Sequence, residues 1–161
     1  MDTALLIGHS GPAAATFLAS LVGSIVPFVY IEVFLLAAVA LVPAGYPVWT
    51  LAIVAAFGQM AGKTILYFSA AAATSCRAWH RTDLGYVDRL QRRMAGMSPW
   101  IALSFIFASA SAGIPPFIVV AIVAGAARIR FGPFLLAGLA GRTLRMVAVV
   151  FGAAAVRHAM P

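Results

Sequence analysis

The chain has 161 residues, of which 63% are hydrophobic and 9% are charged. Soluble domains carry about 25% charged residues, so this composition excludes an ordinary soluble domain and predicts an integral membrane protein with helical spans. The net charge of +7 is not accompanied by the basic and aromatic motifs of nucleic-acid-binding proteins. Cys76 is the only cysteine, which excludes an intrachain disulfide. We expect no metal site, no cofactor and no nucleic-acid partner.

The first half contains two short apolar segments and one long one. Residues 13–26 and 28–42 are apolar and are separated by Pro27. As helices they would measure roughly 21–23 Å each, less than the ~30 Å hydrocarbon core of a bilayer. This pattern predicts a re-entrant hairpin, and the alternative is one full span that starts near Ala4 and kinks at Pro27. Residues 48–73 are long enough to span with tilt.

A polar segment, residues 76–98, follows the first span. A cap at Thr82 or Asp83 would start a helix with an apolar and a basic face. The apolar face would comprise Leu84, Val87, Leu90 and Met94, and the basic face Arg89, Arg92 and Arg93. This predicts an amphipathic helix lying on the membrane surface.

The second half repeats the plan of the first. Residues 99–112 and 117–127 are apolar and flank a break at Pro115 and Pro116, and residues 131–156 form a second long segment. A hairpin adds no net crossing and a span adds one, so the second unit would start from the opposite face of the membrane, as in inverted repeats.

We therefore predict an all-α integral membrane protein with a single membrane domain, residues 1–161. Its two inverted units, about 13–75 and 99–157, would each consist of a re-entrant helical hairpin and one transmembrane helix, joined by the amphipathic linker. The basic residues are concentrated on one side of this topology, with only Arg157 on the other. They are Arg77, Arg81, Arg89, Arg92, Arg93, Arg128 and Arg130. The positive-inside rule then makes the linker 76–98 cytoplasmic.

Matching segments place a cation near the middle of each long apolar run, at Lys63 and at Arg142. A charge at the bilayer centre costs about 3 kcal/mol on insertion scales, so such residues are expected to serve a function. Lys63 shares a helix face with Gln59 and Tyr67 because they are four residues apart. Arg145, three residues after Arg142, extends the matching cationic face.

These five residues are candidate ligands for a phosphate, which arginine binds through its planar fork and lysine through a point charge. Glu32 is the acid closest in sequence to the first break and is a candidate proton carrier or counter-ion. Alternatively, Glu32 reaches water at the mouth of the hairpin, and the cations pair with it or extend to the headgroups. One acid would still leave net positive charge for an anion.

The proline breaks also favour an anion. Half-helices that begin at Pro27, Pro115 and Pro116 would direct free N–H groups towards the middle of the membrane, although a simple kink is the alternative. Close packing between helices is expected at four glycines. They are Gly58, Gly62, Gly138 and Gly141.

Several segments together resemble the DedA family, also called the SNARE-associated or VTT-domain family. The matching segments are Val26–Glu32 (proline break followed by Glu), Gly58–Tyr67 (Gly-x3-Gly and Tyr), Ala112–Pro116 (second break), and Ala124-Gly125 and Phe131 before and at the start of the last span. The resemblance extends over roughly residues 13–156. It is nearest to a divergent, YqaA-like branch, because Ser104–Ser111 lacks the arginines that better-known members carry just before the second break.

This resemblance implies a flippase or scramblase of lipids in the plasma (inner) membrane of a bacterium, with a homo-oligomer as the expected assembly. The implied substrates are polyprenyl phosphates and phospholipids, with proton coupling proposed for some members. Two other hypotheses stay open. One is a membrane enzyme on a lipid substrate, although the chain has only four acids. The other is a structural or assembly subunit whose buried charges pair with a partner.

Overall fold

The computed structural model describes residues 3–26, 31–43, 46–74 and 85–159, which form seven α-helices and no strand. The helices are α1 Thr3–Ile25, α2 Ile31–Leu41, α3 Val48–Ala73, α4 Gly85–Ala95, α5 Pro99–Ala112, α6 Phe117–Ala126 and α7 Phe131–Ala159. The all-α prediction is confirmed. Helix α3 and residues Phe131–Ala155 of α7 are long and apolar enough to cross a membrane.

Most helix bounds follow the apolar segments. Helices α3 and α5 coincide with the predicted 48–73 and 99–112, and α6 ends one residue before the predicted 127. Helix α4 is amphipathic, and Met94 on its apolar face is buried. The predicted caps at Thr82 and Asp83, Pro27 and Cys76 lie outside the described residues.

Helix α1 is longer than the predicted segment 13–26, because it begins at Thr3 and continues through Pro12. An interior proline removes one backbone hydrogen bond and does not always end a helix. The hydroxyl of Thr16 donates to Pro12 O at 2.7 Å.

The long helices α3 and α7 pack against each other in antiparallel orientation. Met60 of α3 lies next to Gly138 of α7, and Tyr67 stacks on Phe134 near the start of α7. The start of α3 clusters instead with the later part of α7, around Met146.

Each long helix also packs in parallel with the shorter helix that opens its half of the chain. On α3, a Cβ at Gly58 would lie 2.6 Å from Phe17 O of α1, and one at Gly62 would lie 3.0 Å from Leu21 O. On α7, a Cβ at Gly141 would lie 2.7 Å from Phe107 O of α5. These glycines bring the helix backbones close together, and α1 ends beside the middle of α3.

The four shorter helices that pack on α3 and α7 are the arms α1, α2, α5 and α6. The second arm of each half packs on the long helix of the other half. Helix α2 packs on α7, and α6 packs on α3, where a Cβ at Gly125 would overlap the carbonyl of Tyr67. Helix α4 contacts α6. Each long helix is therefore enclosed by one arm from each half.

The outward faces of the bundle are apolar. On α3, the large exposed apolar side chains lie three, four or eight residues apart, so they share one side of the helix. They are Trp49, Ile53, Phe57, Ile65 and Phe68. An exposed apolar stripe of this kind is typical of a helix that lies against lipid or another protein.

Candidate functional site

A cavity of about 380 Å³ lies beside the end of α1, the starts of α2 and α6, and the middle of α3 and α7. Its polar lining comes from four helices: Ser24 of α1, Glu32 of α2, Gln59 and Lys63 of α3, and Arg142 and Arg145 of α7. Gly113 and Pro116 of the second break complete it, together with the first residues of α6. The packing thus brings five of the six polar candidates to one place.

Lys63 is buried, with 4% of its surface exposed, and its Nζ donates to Ser24 O. Ser24 belongs to the last turn of α1, whose carbonyl groups have no partner within the helix. A cation at that end also interacts favourably with the helix dipole. Lys63 therefore caps α1.

Arg145 performs the same task for α5. Its Nη1 lies 3.5 Å from Ser111 O in the last turn of that helix. Its Nη2 and Nε lie 2.9 and 3.0 Å from Glu32 Oε1. Glu32 is therefore the counter-ion of Arg145. Of the three candidate cations, Arg145 is the one for which the alternative of an ion pair with Glu32 holds.

Gly113 makes room for this guanidinium. It ends α5 in the left-handed conformation, with φ of 79°, and its N–H donates to Ser109 O at 2.8 Å. A Cβ at Gly113 would be strained by this φ and would lie 2.5 Å from Nη1 of Arg145. The positive φ therefore favours glycine at this position, and a larger residue would displace the guanidinium of Arg145.

Arg142 is the cation that the protein leaves least satisfied. It is 9% exposed, and its Nε has no hydrogen-bond partner within the described residues. Its Cζ lies 5.0 Å from the ring centroid of Phe117, in the first turn of α6. Gln59 Oε1 on the facing helix is likewise buried without a partner there. A buried polar group without a partner costs about 1–3 kcal/mol, which a suitable ligand would recover.

The cavity carries an excess of positive charge. Its described lining holds three cations and one acid. Helices α2 and α6 both begin there, and the first N–H groups of a helix have no acceptor within it. Backbone and side chains therefore both favour an anion.

Lys63 and Arg142, the matching cations of the two long apolar segments, lie at different depths along the bundle. Since Met60 lies next to Gly138 and Tyr67 next to Phe131, Lys63 is level with a position about seven residues before Arg142, or roughly 10 Å along the axis. Both side chains line the same cavity, from backbone positions that differ in depth.

Tyr67 lies away from the cavity, although it shares a helix with Lys63. Its hydroxyl donates to Ile129 O, and its ring packs among Phe68, Phe131 and Phe134. Pro115, in a cis peptide bond with Ile114, accepts a hydrogen bond from Ser109 Oγ at 2.6 Å. Ser24, Gly113 and Phe117 also line the cavity but were not predicted as site residues. In the sequence, only their position beside the breaks indicates such a role.

No protein-family model, curated protein or solved structure matches the chain. Within its described part, the chain is all-helical, with two helices long and apolar enough to cross a membrane and a cationic cavity between them.

Proposed function

We propose that this protein is an integral protein of the bacterial plasma membrane that moves a phosphate-bearing lipid, a polyprenyl phosphate or an anionic phospholipid, between leaflets. The observation that carries the proposal is the buried guanidinium of Arg142, which lacks a partner at Nε within the described residues and faces a cavity with excess positive charge. A phosphate would supply acceptors to Arg142. The donor to Gln59 Oε1 would be the remaining proton of a phosphomonoester in a polyprenyl phosphate, or a headgroup hydroxyl in phosphatidylglycerol.

We infer that the two halves form an inverted repeat of re-entrant hairpins. The antiparallel α3 and α7, each with a parallel first arm and a second arm from the other half, support this symmetry. Helices α2, α5 and α6 have 11, 14 and 10 residues, so they would be too short to cross a bilayer. The end of α1 beside the middle of α3 favours the hairpin over a full first span.

The proposed relation to the DedA family gains support from Arg145. The residues before the second break lack the arginines of better-known members, but the guanidinium of Arg145 lies against Gly113 in that break. A cation from the last span would then take the position that other members fill from the hairpin itself.

The proposed cytoplasmic position of the linker agrees with the packing of α4. Gln91 of α4 lies 3.5 Å from Ala126 O at the end of α6, next to the turn that carries Arg128 and Arg130. The described arginines of α4 and this turn are therefore on one side of the bundle, as the positive-inside rule requires.

In the proposed mechanism, the lipid phosphate would move between Lys63 and Arg142, which offer two positions roughly 10 Å apart. Glu32 would compete with the phosphate for Arg145. Protonation of its carboxyl would release Arg145 to the phosphate, and ionisation would displace the phosphate again. The acyl chains would stay in the surrounding lipid.

The proposal is tested with purified protein in vesicles that contain a fluorescent phosphatidylglycerol. Chemical quenching of the outer leaflet reports how fast the lipid changes sides. Arg142→Gln should slow this movement by about tenfold or more, because a charge-assisted hydrogen bond is worth roughly 1.5–3 kcal/mol. Arg142→Lys should be impaired less, since it keeps the charge and loses only the fork.

The matched control is Arg130→Gln, which removes the same charge from an exposed position before α7. It should move lipid at the parent rate. Parent activity in Arg142→Gln would contradict the anion site. Chemical conversion of the lipid, seen by chromatography, would indicate the enzyme hypothesis instead. A structural subunit would be favoured if the parent moved neither phosphatidylglycerol nor a fluorescent polyprenyl phosphate in the same assay.

A further inference from the structure

A second cavity, of about 450 Å³, lies between α4 and the break that separates α5 from α6. Its two walls differ in chemistry. Arg89 and Arg93 of α4, with Leu90 between them, form one wall, and Phe105, Ile114 and Pro115 form the other. Ile114 is 83% exposed, which is unusual for an isoleucine so close to two guanidinium groups.

The basic wall is held in place by the packing of α4. Met94 is 2% exposed within the core, and Gln91 Nε2 lies 3.5 Å from Ala126 O of α6. Arg89 and Arg93 are four residues apart and therefore share one face of the helix. The Nε of Arg89 also donates to Gly85 O at 2.8 Å, which orients its guanidinium.

Guanidinium groups opposite an apolar wall suit an amphiphile with an anionic head. We propose that this cavity binds one anionic phospholipid from the leaflet against which α4 lies, with the phosphate between Arg89 and Arg93 and one acyl chain along Phe105 and Ile114. The volume is within the range of small-molecule sites. The inference rests on the proposed membrane placement, but it does not require that the protein transports lipid.

This site is separate from the central cavity although both touch the same break. Gly113 and Pro116 line the central cavity, whereas Ile114 and Pro115 line the outer one. Among the described residues none lines both cavities, so substitutions in the arginines of α4 and in Arg142 test the two sites independently.

The test uses the purified full chain in detergent with a phosphatidylglycerol that carries a photoreactive group on one acyl chain. After illumination, peptide mapping should find the label at Phe105 or Ile114. Unlabelled phosphatidylglycerol should compete, and phosphatidylcholine and inorganic phosphate should not. Replacing both arginines, Arg89→Gln with Arg93→Gln, should lower labelling by about a hundredfold or more, since two charge-assisted hydrogen bonds of roughly 1.5–3 kcal/mol each are lost.

The matched control is Arg92→Gln, an exposed arginine of the same helix that does not line the cavity. It should be labelled like the parent. Arg142→Gln should also keep the label even where it loses lipid movement, so this proposal and the proposed function fail separately. Circular dichroism should show the parent helix content in every variant.

Three results would overturn the inference. One is labelling that persists when both Arg89 and Arg93 are replaced. Another is equal competition by phosphatidylcholine, which would mean an apolar groove without selectivity for charge. The third is competition by inorganic phosphate alone, which would indicate a site for free phosphate.

Discussion

Arg145 of α7 forms an ion pair with Glu32 of α2, with 2.9 Å between Nη2 and Oε1. The pair joins two residues that are 113 positions apart in the chain. The same guanidinium reaches Ser111 O at the end of α5. One side chain therefore connects the first break, the second break and the last long helix. The charges in this cavity hold the two halves together as well as lining a site.

Glu32→Gln should abolish lipid movement while the protein still inserts and folds, because no carboxylate remains to displace phosphate from Arg145. The ion pair itself is measured by a cycle of Glu32→Gln, Arg145→Gln and the double variant. Contacting residues of this kind couple by roughly 0.5–3 kcal/mol in the free energy of unfolding. Strictly additive effects would mean that the pair contributes no interaction energy.

Arg142→Met should leave the free energy of unfolding unchanged or raise it, while lipid movement is lost. The contact with Phe117 is worth about 0.5–2 kcal/mol, and burying a charge without a full set of partners costs several kcal/mol. Unfolding in mixed micelles gives the comparison. Arg145→Met is the contrasting variant and should destabilise the protein, because it leaves Glu32 without its counter-ion. A destabilised Arg142→Met would assign Arg142 a structural role.

Gly141→Ala should lower the free energy of unfolding by about 1–3 kcal/mol, the usual cost of overpacking. Its Cβ would lie 2.7 Å from both Phe107 O and Ala110 Cβ of α5. Gly152→Ala, in the same helix, meets nothing within 4 Å and should stabilise by up to about 1 kcal/mol, because alanine loses less entropy than glycine in a helix. Equal effects of the two substitutions would contradict close packing of α5 on α7.

Cys76 tests the proposed orientation, since it is the only cysteine and belongs to the predicted cytoplasmic linker. A membrane-impermeant maleimide should label it in inverted vesicles and spare it in intact cells. Labelling of intact cells would reverse the topology. It would also exchange the sides to which the two hairpins open.

The helix bounds were predictable because the apolar runs end at prolines and charges. Residues 48–73 and 99–112 became helices with the same limits, and α7 begins at the predicted Phe131. Helix α1 begins at Thr3, ten residues before the predicted segment 13–26 and close to Ala4, where the alternative of a full first span would start. Pro12 lies inside this helix, although proline is a local signal for a break. A local signal of this kind does not reveal whether neighbouring helices compensate for a lost hydrogen bond.

The polar residues of the cavity were found from their cost in lipid, but their partners were not. Sequence offset pairs Lys63 with Arg142, yet the residue that caps the matching helix is Arg145, one turn later. That difference depends on the rotation of α7 against α5, which only tertiary packing decides. Tyr67 shares a helix face with Lys63 but bonds Ile129 O, for the same reason.

The exchange of arms between the halves also has a consequence for the order of synthesis. Helix α2 buries Ile31, Leu35 and Val39 in a cluster with residues of α3 and with Met146 and Val150 of α7, which is synthesised after both. Until α7 is made, α2 can pack only on α1 and α3, and the carboxylate of Glu32 lacks Arg145. A nascent chain that ends before residue 131 therefore holds α2 without its main packing partner and without the ion pair that ties it to α7.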